Sequence, residues 1–263
     1  MRKWLSNTYE VAVKFGIDPR KTIRSLFALR WYFSDLRSFK KQLKGSTQFT
    51  MGRLYPCVSD KNDQGGAASG QYFHQDLLVA RRIFQNSPGR HVDVGSRVDG
   101  FVAHVASFRS IVVIDIRAIS SKIPNIKFLQ ADLMSSAPED LVEFCDSLSC
   151  LHAIEHFGLG RYGDPINHEG HLVGLKNIGA LLKRGGKFYF SIPIGAQRIE
   201  FNAHRIFSVR YLLECLGNRY HIDSFSYVDD RGELHENAAL SPTAIDNNFE
   251  CSFGCGIFEM TKL

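Results

Sequence analysis

HVDVGSRVDGFVAHVASFRSIVVIDI, residues 91–116, runs through a short apolar stretch, a turn, a helical stretch and a second apolar stretch that ends in an acid. HVDVG (91–95) is too short for a helix and reads as a strand, with Gly95 free to take the sharp turn that must follow. FVAHVASF (101–108) carries apolar residues at helical spacing, and SIVVIDI (110–116) is the β-branched run of a strand buried on both faces. A strand, a crossover helix and a second strand make a parallel unit.

The same alternation extends in both directions. QYFHQDLLVARRIFQ precedes it as a helix over 71–85, stopped by SPG at 87–89. Downstream, IKFLQAD (126–132) predicts a third strand, APEDLVEF (137–144) a helix, DSLSCLH (146–152) a fourth strand, residues 170–184 a helix and GKFYFSIPI (186–194) a fifth strand. SVRYLLECLGN (208–218) predicts a last helix, and YHIDSFSYV (220–228) and CSFGCGIFEMTK (251–262) two closing strands. The fold class is therefore α/β: a doubly wound, mostly parallel, Rossmann-like sheet.

Residues 20–44 place Ile23, Leu26, Phe27, Phe33, Leu36 and Leu43 near helical spacing with basic residues between them, and they predict an N-terminal helical arm. The organisation is a basic arm over 1–53 and the α/β domain over 54–263. The polar, glycine-rich stretch 58–70 reads as a loop that either joins elements or closes over a pocket.

With 44% hydrophobic and 22% charged residues the chain is globular in composition rather than disordered, and its 20 phenylalanines suit a filled interior. No apolar run approaches the roughly 20 residues that span a bilayer, which leads to an expectation of a cytoplasmic protein. Six cysteines without a CxxC pair read as reduced thiols, so neither a disulfide framework nor a metal centre is expected from them. The net charge of +5 is uneven: residues 1–50 hold eleven Lys/Arg against three Asp/Glu. Nucleic acid is not an expected partner; a weak peripheral contact of the arm with anionic membrane is, with Trp4 and Trp31 as interfacial anchors.

In an open parallel sheet, ligands sit beyond the carboxyl ends of the strands at the point where the strand order reverses. The candidate cofactor residues are accordingly Asp93, Gly95, Arg97 and Gly100 around the first turn, with Gly100 giving a ligand room to approach the backbone. Asp115 ends the second strand, where a carboxylate can accept two ribose hydroxyls, and Asp132 ends the third, within reach of an adenine amino group. HAIEHF (152–157) puts His152, Glu155 and His156 beside the reactive end as candidate acid–base groups. In GLGRYGDPIN (158–167), Arg161, Tyr162 and Asp164 are candidates for binding the substrate, as is His204 beyond the fifth strand. Each of these residue types also caps strands, turns and helices, so the ordered set carries more weight than any one member.

Taken together, D-x-G at 93–95, the acid at 115, AD at 131–132, HAIEHF, LKRGGKFYFSIPI (182–194) and HRIFSVRYLLECL (204–216) resemble class I small-molecule methyltransferases over about residues 90–217. More narrowly, GQYFHQDLLVARRIF, residues 91–108 and SLSCLHAIEHFGLGRYGDPIN look like domain-of-unknown-function family two hundred and sixty-eight, known from nematodes and from bacterial surface-polysaccharide gene clusters. The resemblance implies S-adenosylmethionine as cofactor, a sheet ending in an antiparallel pair, and methyl transfer to a small molecule or a sugar or glycolipid precursor. One departure stands out: Arg97 and Asp99 occupy positions that such methyltransferases fill with glycine. An arginine there crowds the cofactor unless it turns outward or pairs with the methionine carboxylate.

Two other readings use the same residues. A non-catalytic nucleotide-binding module would keep the fold and lose the transfer. HAIEH also fits H-x-x-E-H, a zinc-hydrolase signature whose histidines at i and i+4 share a helical face.

Overall fold

The computed structural model describes residues 9, 11–44, 49–62, 65–66, 68–135 and 139–263. Two compact units are present, residues 1–67 and 68–263. In the first, α1 (Pro19–Leu43) is one continuous helix. The Asp18 side chain caps it by accepting from Lys21 N, and Pro19 at the first position leaves no donor to satisfy. Trp4, the first of the two expected anchors, lies outside the described residues, as does part of the 58–70 loop.

The second unit carries α2 (Gln71–Asn86), β1 (His91–Val94), α3 (Ala103–Ala106), β2 (Ile111–Asp115), β3 (Ile126–Gln130), β4 (Cys145–Leu151), α4 (Gly170–Leu181) and β5 (Leu182–Ile194). A short pair, β6 (Arg198–Glu200) and β7 (His204–Ile206), leads to α5 (Val209–Leu216), β8 (Tyr220–Val228), β9 (Leu234–His235), α6 (Pro242–Asp246) and β10 (Gly254–Lys262). The main sheet has the order β3-β2-β1-β4-β5-β10-β8-β9. Strands β1 to β5 are mutually parallel, while β10 runs antiparallel between β5 and β8. This is the expected doubly wound sheet with its antiparallel closing strands, and the order reverses between β1 and β4.

Alternate residues of each strand feed two cores, as a sheet covered on both faces requires. Ile111, Val113, Tyr189 and Ile257 pack with Leu78, Val79 and Ile83 of α2, whereas Ile114, Phe188, Phe190, Phe258 and Met260 pack with Leu175 and Ile178 of α4 and Leu212 of α5. Two expectations need correction. The region 101–108 opens with a wide turn, Val98–Val102, and only Ala103–Ala106 is regular α-helix. Among the described residues of 137–144 there is only a single 3₁₀ turn, Glu139–Leu141, because Leu141 is the one apolar side chain there that is fully buried before Cys145 begins β4.

A polar chain crosses the buried middle of the sheet. The Ser147 hydroxyl donates to His91 Nδ1 (2.8 Å), His91 Nε2–H donates to Ser149 Oγ (3.1 Å), and Ser149 donates to Asp93 Oδ1 (2.5 Å). Only the Nε2–H tautomer satisfies all three groups, because Ser149 has a single proton to give. Burial drives His91 down to about 3, so it is neutral. Burial likewise pushes Asp93 up to about 6, against the bonds from Ser149 and Ser96 that favour its charge.

The raised Asp93 value predicts a pH dependence. A carboxyl whose folded pKa lies above its unfolded one stabilises the fold fully below about pH 4 and loses this contribution as pH rises through about 6, a change of about 3 kcal/mol. Urea melts at intervals from pH 4 to pH 7 should therefore show the stability of the native protein minus that of Asp93→Asn falling as pH rises, because the opposite contribution of the buried neutral His91 is common to both proteins. Parallel curves for the two proteins would contradict it.

Candidate active site

The carboxyl ends of β1, β2, β3 and β4 meet at a pocket of about 570 Å³, part of it open to solvent. Its apolar wall is formed by Val94, Ile114, Ile116, Leu133, Met134 and Phe157. Gly95, Asp115, Asp132, His152, His156, Tyr162 and Asp164 also face it, so seven of the residues expected from the sequence come together in one place.

The first turn is set by Asp93. Its carboxylate accepts from Ser96 N (3.0 Å) and Ser96 Oγ (2.6 Å) as well as from Ser149, and it is fully buried away from the pocket. Asp93 thus shapes the loop and does not line the pocket, which corrects its expected role in contacting a cofactor. Gly95 has φ +71°, and a Cβ there would stand 2.8 Å from the Cβ of Ala153, so glycine is required by backbone and neighbour alike. Gly100 needs the absence of a side chain for another reason than ligand approach: a Cβ would stand 2.6 Å from Asp76 Oδ2 of α2. Arg97 also departs from expectation. Its side chain is 55% exposed, pairs with Asp99 at 3.0 Å and lies over the Tyr72 ring, so it leaves the pocket clear.

Asp115 sits at the rim with its side chain 11% exposed. Oδ1 accepts from Arg117 N (2.8 Å) and Nε (3.0 Å), and Oδ2 from Arg117 Nη2 (2.9 Å). Oδ2 keeps a lone pair for a further donor. The Arg117 guanidinium in turn stacks on Tyr162 at 4.3 Å, joining the β2 loop to the loop after β4. Sequence reasoning missed Arg117, although its spacing of two from an acid at a strand end allows this bidentate pair. Asp132 lines the pocket with Oδ1 held by Met134 N (2.8 Å).

HAIEH is not a helical metal motif. His152 follows directly on β4 with φ +50°, a conformation costly for a side-chain-bearing residue, and Ile154–His156 is a single 3₁₀ turn. Both histidines point at Glu155 instead of at a common vacancy: His152 Nδ1 is 2.8 Å and His156 Nε2 is 3.7 Å from Glu155 Oε1. Among the described residues no group of three His, Cys, Asp or Glu side chains is placed to hold a metal ion. The zinc-hydrolase reading is corrected on that geometry.

The two histidines are driven apart electrically. Burial opposes charge on His152, but the Cys255 sulfur and the Glu155 carboxylate favour it more, and the balance raises its pKa well above the ordinary imidazole value. His156 goes the other way: burial outweighs Glu155 and lowers its pKa. Its Nδ1–H donates to the Ala203 carbonyl (2.6 Å), which leaves the lone pair of the neutral ring on Nε2. Glu155 itself is lowered, since its histidine partners overcome its burial.

The remaining candidates divide between wall and support. Asp164 turns its carboxylate inward on its own loop, accepting from Gly158 N (2.8 Å), Gly160 N (3.2 Å) and Tyr162 N (3.1 Å), so its side chain is committed to folding that loop rather than to a substrate. Arg161 donates to Ala203 O (3.0 Å) and lies over Tyr162, behind His156 and outside the wall. His204 is also outside it, 3.2 Å from Glu200 without hydrogen-bond geometry and tilted against the Phe253 ring. Arg205, absent from the sequence reading, is buried and ties the loop down by donating to Phe157 O (2.6 Å) and His168 O (3.2 Å). A basic residue between His204 and Ile206 gave no local sign of this, because its partners are carbonyls far away in sequence.

Comparison with known proteins bears on this arrangement. No curated protein matches the chain. The structure of the 4+2 cyclase SpnF aligns over 72% of this chain and 80% of its own, with TM-score 0.52 and 18% identity. The Burkholderia thailandensis 1,6-didemethyltoxoflavin-N1-methyltransferase, with 1,6-didemethyltoxoflavin and S-adenosylhomocysteine bound, aligns over 72% and 78%, with TM-score 0.50 and 13% identity. These likenesses establish the class I methyltransferase fold. A family model described as "Caenorhabditis protein of unknown function, DUF268" matches residues 113–246, from β2 through α6. With just over half of its length matched by that model, the chain belongs to the DUF268 family.

Proposed function

We propose that the protein is a cytoplasmic S-adenosylmethionine-dependent methyltransferase acting on a small molecule or a sugar or glycolipid precursor. The observation that carries this reading is the pocket at the strand-order reversal, where a glycine turn, two strand-end carboxylates and a neutral histidine share one wall. The donor set fits the cofactor: Ile116, Leu133 and Met134 offer an apolar slot for a purine, Asp132 an acceptor for its amino group, and Asp115 Oδ2 an acceptor for a ribose hydroxyl. Arg97, turned to Asp99, removes the crowding that its position in the loop implied.

When bound, the cofactor would supply an electrophilic sulfonium methyl group. The chain's own contribution is to hold an acceptor in line and to take its proton. His156 is placed for the second task, since its neutral ring presents a lone pair on Nε2 and Glu155, 3.7 Å away, stabilises the imidazolium that forms. His152, already paired with Glu155, fixes that carboxylate in position and is a positioning residue. The sugar or glycolipid acceptor is supported only by what the resemblance implies.

A second reading, a non-catalytic nucleotide-binding module, is favoured by one observation: Arg117 already occupies three of the acceptor positions of Asp115. SpnF, as a cyclase, also illustrates that this fold carries reactions other than methyl transfer.

Calorimetric titration separates the parts. Asp115→Ala should weaken S-adenosylmethionine and S-adenosylhomocysteine by about ten- to a hundredfold, with an unchanged melting temperature, because it removes charge-assisted bonds at a rim and not in the core. Asp132→Ala should weaken them less, since the apolar slot remains. Wild-type protein that binds neither ligand at millimolar concentration would overturn the enzyme and leave the module reading. A titration of the imidazole resonances checks the assignment of the base: His156 should lose its proton below the ordinary value of about 6.5 and His152 well above it. The reverse order would remove His156 as the base.

A further inference from the structure

Helix α1 displays a stripe that nothing in the pocket chemistry uses. Ile23, Leu26, Phe27, Arg30, Phe33 and Arg37 follow the i, i+3, i+4, i+7 spacing that places side chains on one face. Leu26 is 62% and Phe27 79% exposed, and Ile23 and Phe33 are exposed as well. Ahead of the helix, Phe15 and Ile17 are exposed too. Arg20 and Lys41 continue the stripe at its two ends, so four cations share it and no acid does. The acids near the helix are committed elsewhere: Asp18 caps the N-terminus and Asp35 pairs with Lys61 at 3.1 Å.

We propose that α1 is an interfacial helix that docks on an anionic lipid surface. Charge complementarity and the apolar residues together choose that occupant. Arginine and lysine at the headgroup level gain from the negative surface potential, while Ile23, Leu26 and Phe27 leave water for the acyl boundary. A phosphate backbone would answer the cations but leave the apolar side chains in water, and an acidic protein without an apolar groove would do the same. The helix lies along the surface and does not cross it, because among the described residues no helix is long and apolar enough to span a membrane.

The full-length protein is tested by co-sedimentation with phosphatidylcholine vesicles, with and without about three parts in ten of phosphatidylserine. Recovery should be about tenfold or more higher on the anionic vesicles and should fall as salt rises from about 0.1 to 0.5 M. Leu26→Glu with Phe27→Glu, and separately Arg30→Glu with Arg37→Glu, should each lower anionic recovery about tenfold or more while circular dichroism shows the helix content kept. The wild-type comparison decides the matter even if a variant misfolds. Equal recovery on both vesicle types, or none on either, overturns the proposal. So does a concentration-dependent dimer abolished by the Leu26 and Phe27 pair, or retention on a short RNA duplex, in the absence of vesicle binding.

Discussion

One buried carboxylate holds the site in shape. Asp93, next to last in β1, takes both the backbone and the hydroxyl of Ser96, and receives Ser149 from the neighbouring strand. Those bonds lock the loop onto β4 before Gly95 makes its left-handed turn, and Ser96 Oγ in turn accepts from Leu151 N (3.2 Å), at the end of the same strand. The point where the sheet order reverses is therefore stapled across the two strands that diverge there. An ionised carboxylate in an apolar interior is expensive unless donors surround it, so the serines are a condition for Asp93 as much as its consequence.

From that anchor the rest of the pocket follows by short reach. His152 leaves β4 in a strained conformation that sends Glu155 inward, and Glu155 then faces two imidazoles in different settings. One ring is held charged by close contact and the other is held neutral by burial, which outweighs the Glu155 carboxylate and the Ala203 carbonyl that favour its charge. Environment alone gives two identical side chains opposite protonation states, and that separation is what acid–base chemistry at a single site needs. Arg205 and Asp164 hold the 155–168 loop over the pocket through main-chain groups.

The sheet was legible because its signals are local. Five short apolar runs separated by helical stretches and turns predicted the five parallel strands, each within a few residues of its observed bounds, and the late runs at 220–228 and 251–262 became β8 and β10. The pocket wall was legible for the same reason at Gly95, Asp115, Asp132, His152 and His156, all at strand ends. Asp93 was misread because its fate depends on Ser149, fifty-six residues away. Arg97 could have been resolved from its own neighbourhood, since an acid two residues on competes for the guanidinium. Gly100 was explained by Asp76 of α2, and Arg205 by carbonyls, and neither relation has a sequence period to betray it.

The central claim is that the cleft between Gly95, Asp115 and Asp132 receives the nucleoside of S-adenosylmethionine. A crystal of the protein soaked with S-adenosylhomocysteine tests it most directly. The account predicts adenine against Ile116 and Leu133, a ribose hydroxyl on Asp115 Oδ2, and Arg97 still paired with Asp99 outside the cleft. A ligand bound elsewhere, or an Arg97 side chain swung into the cleft in its place, would contradict it.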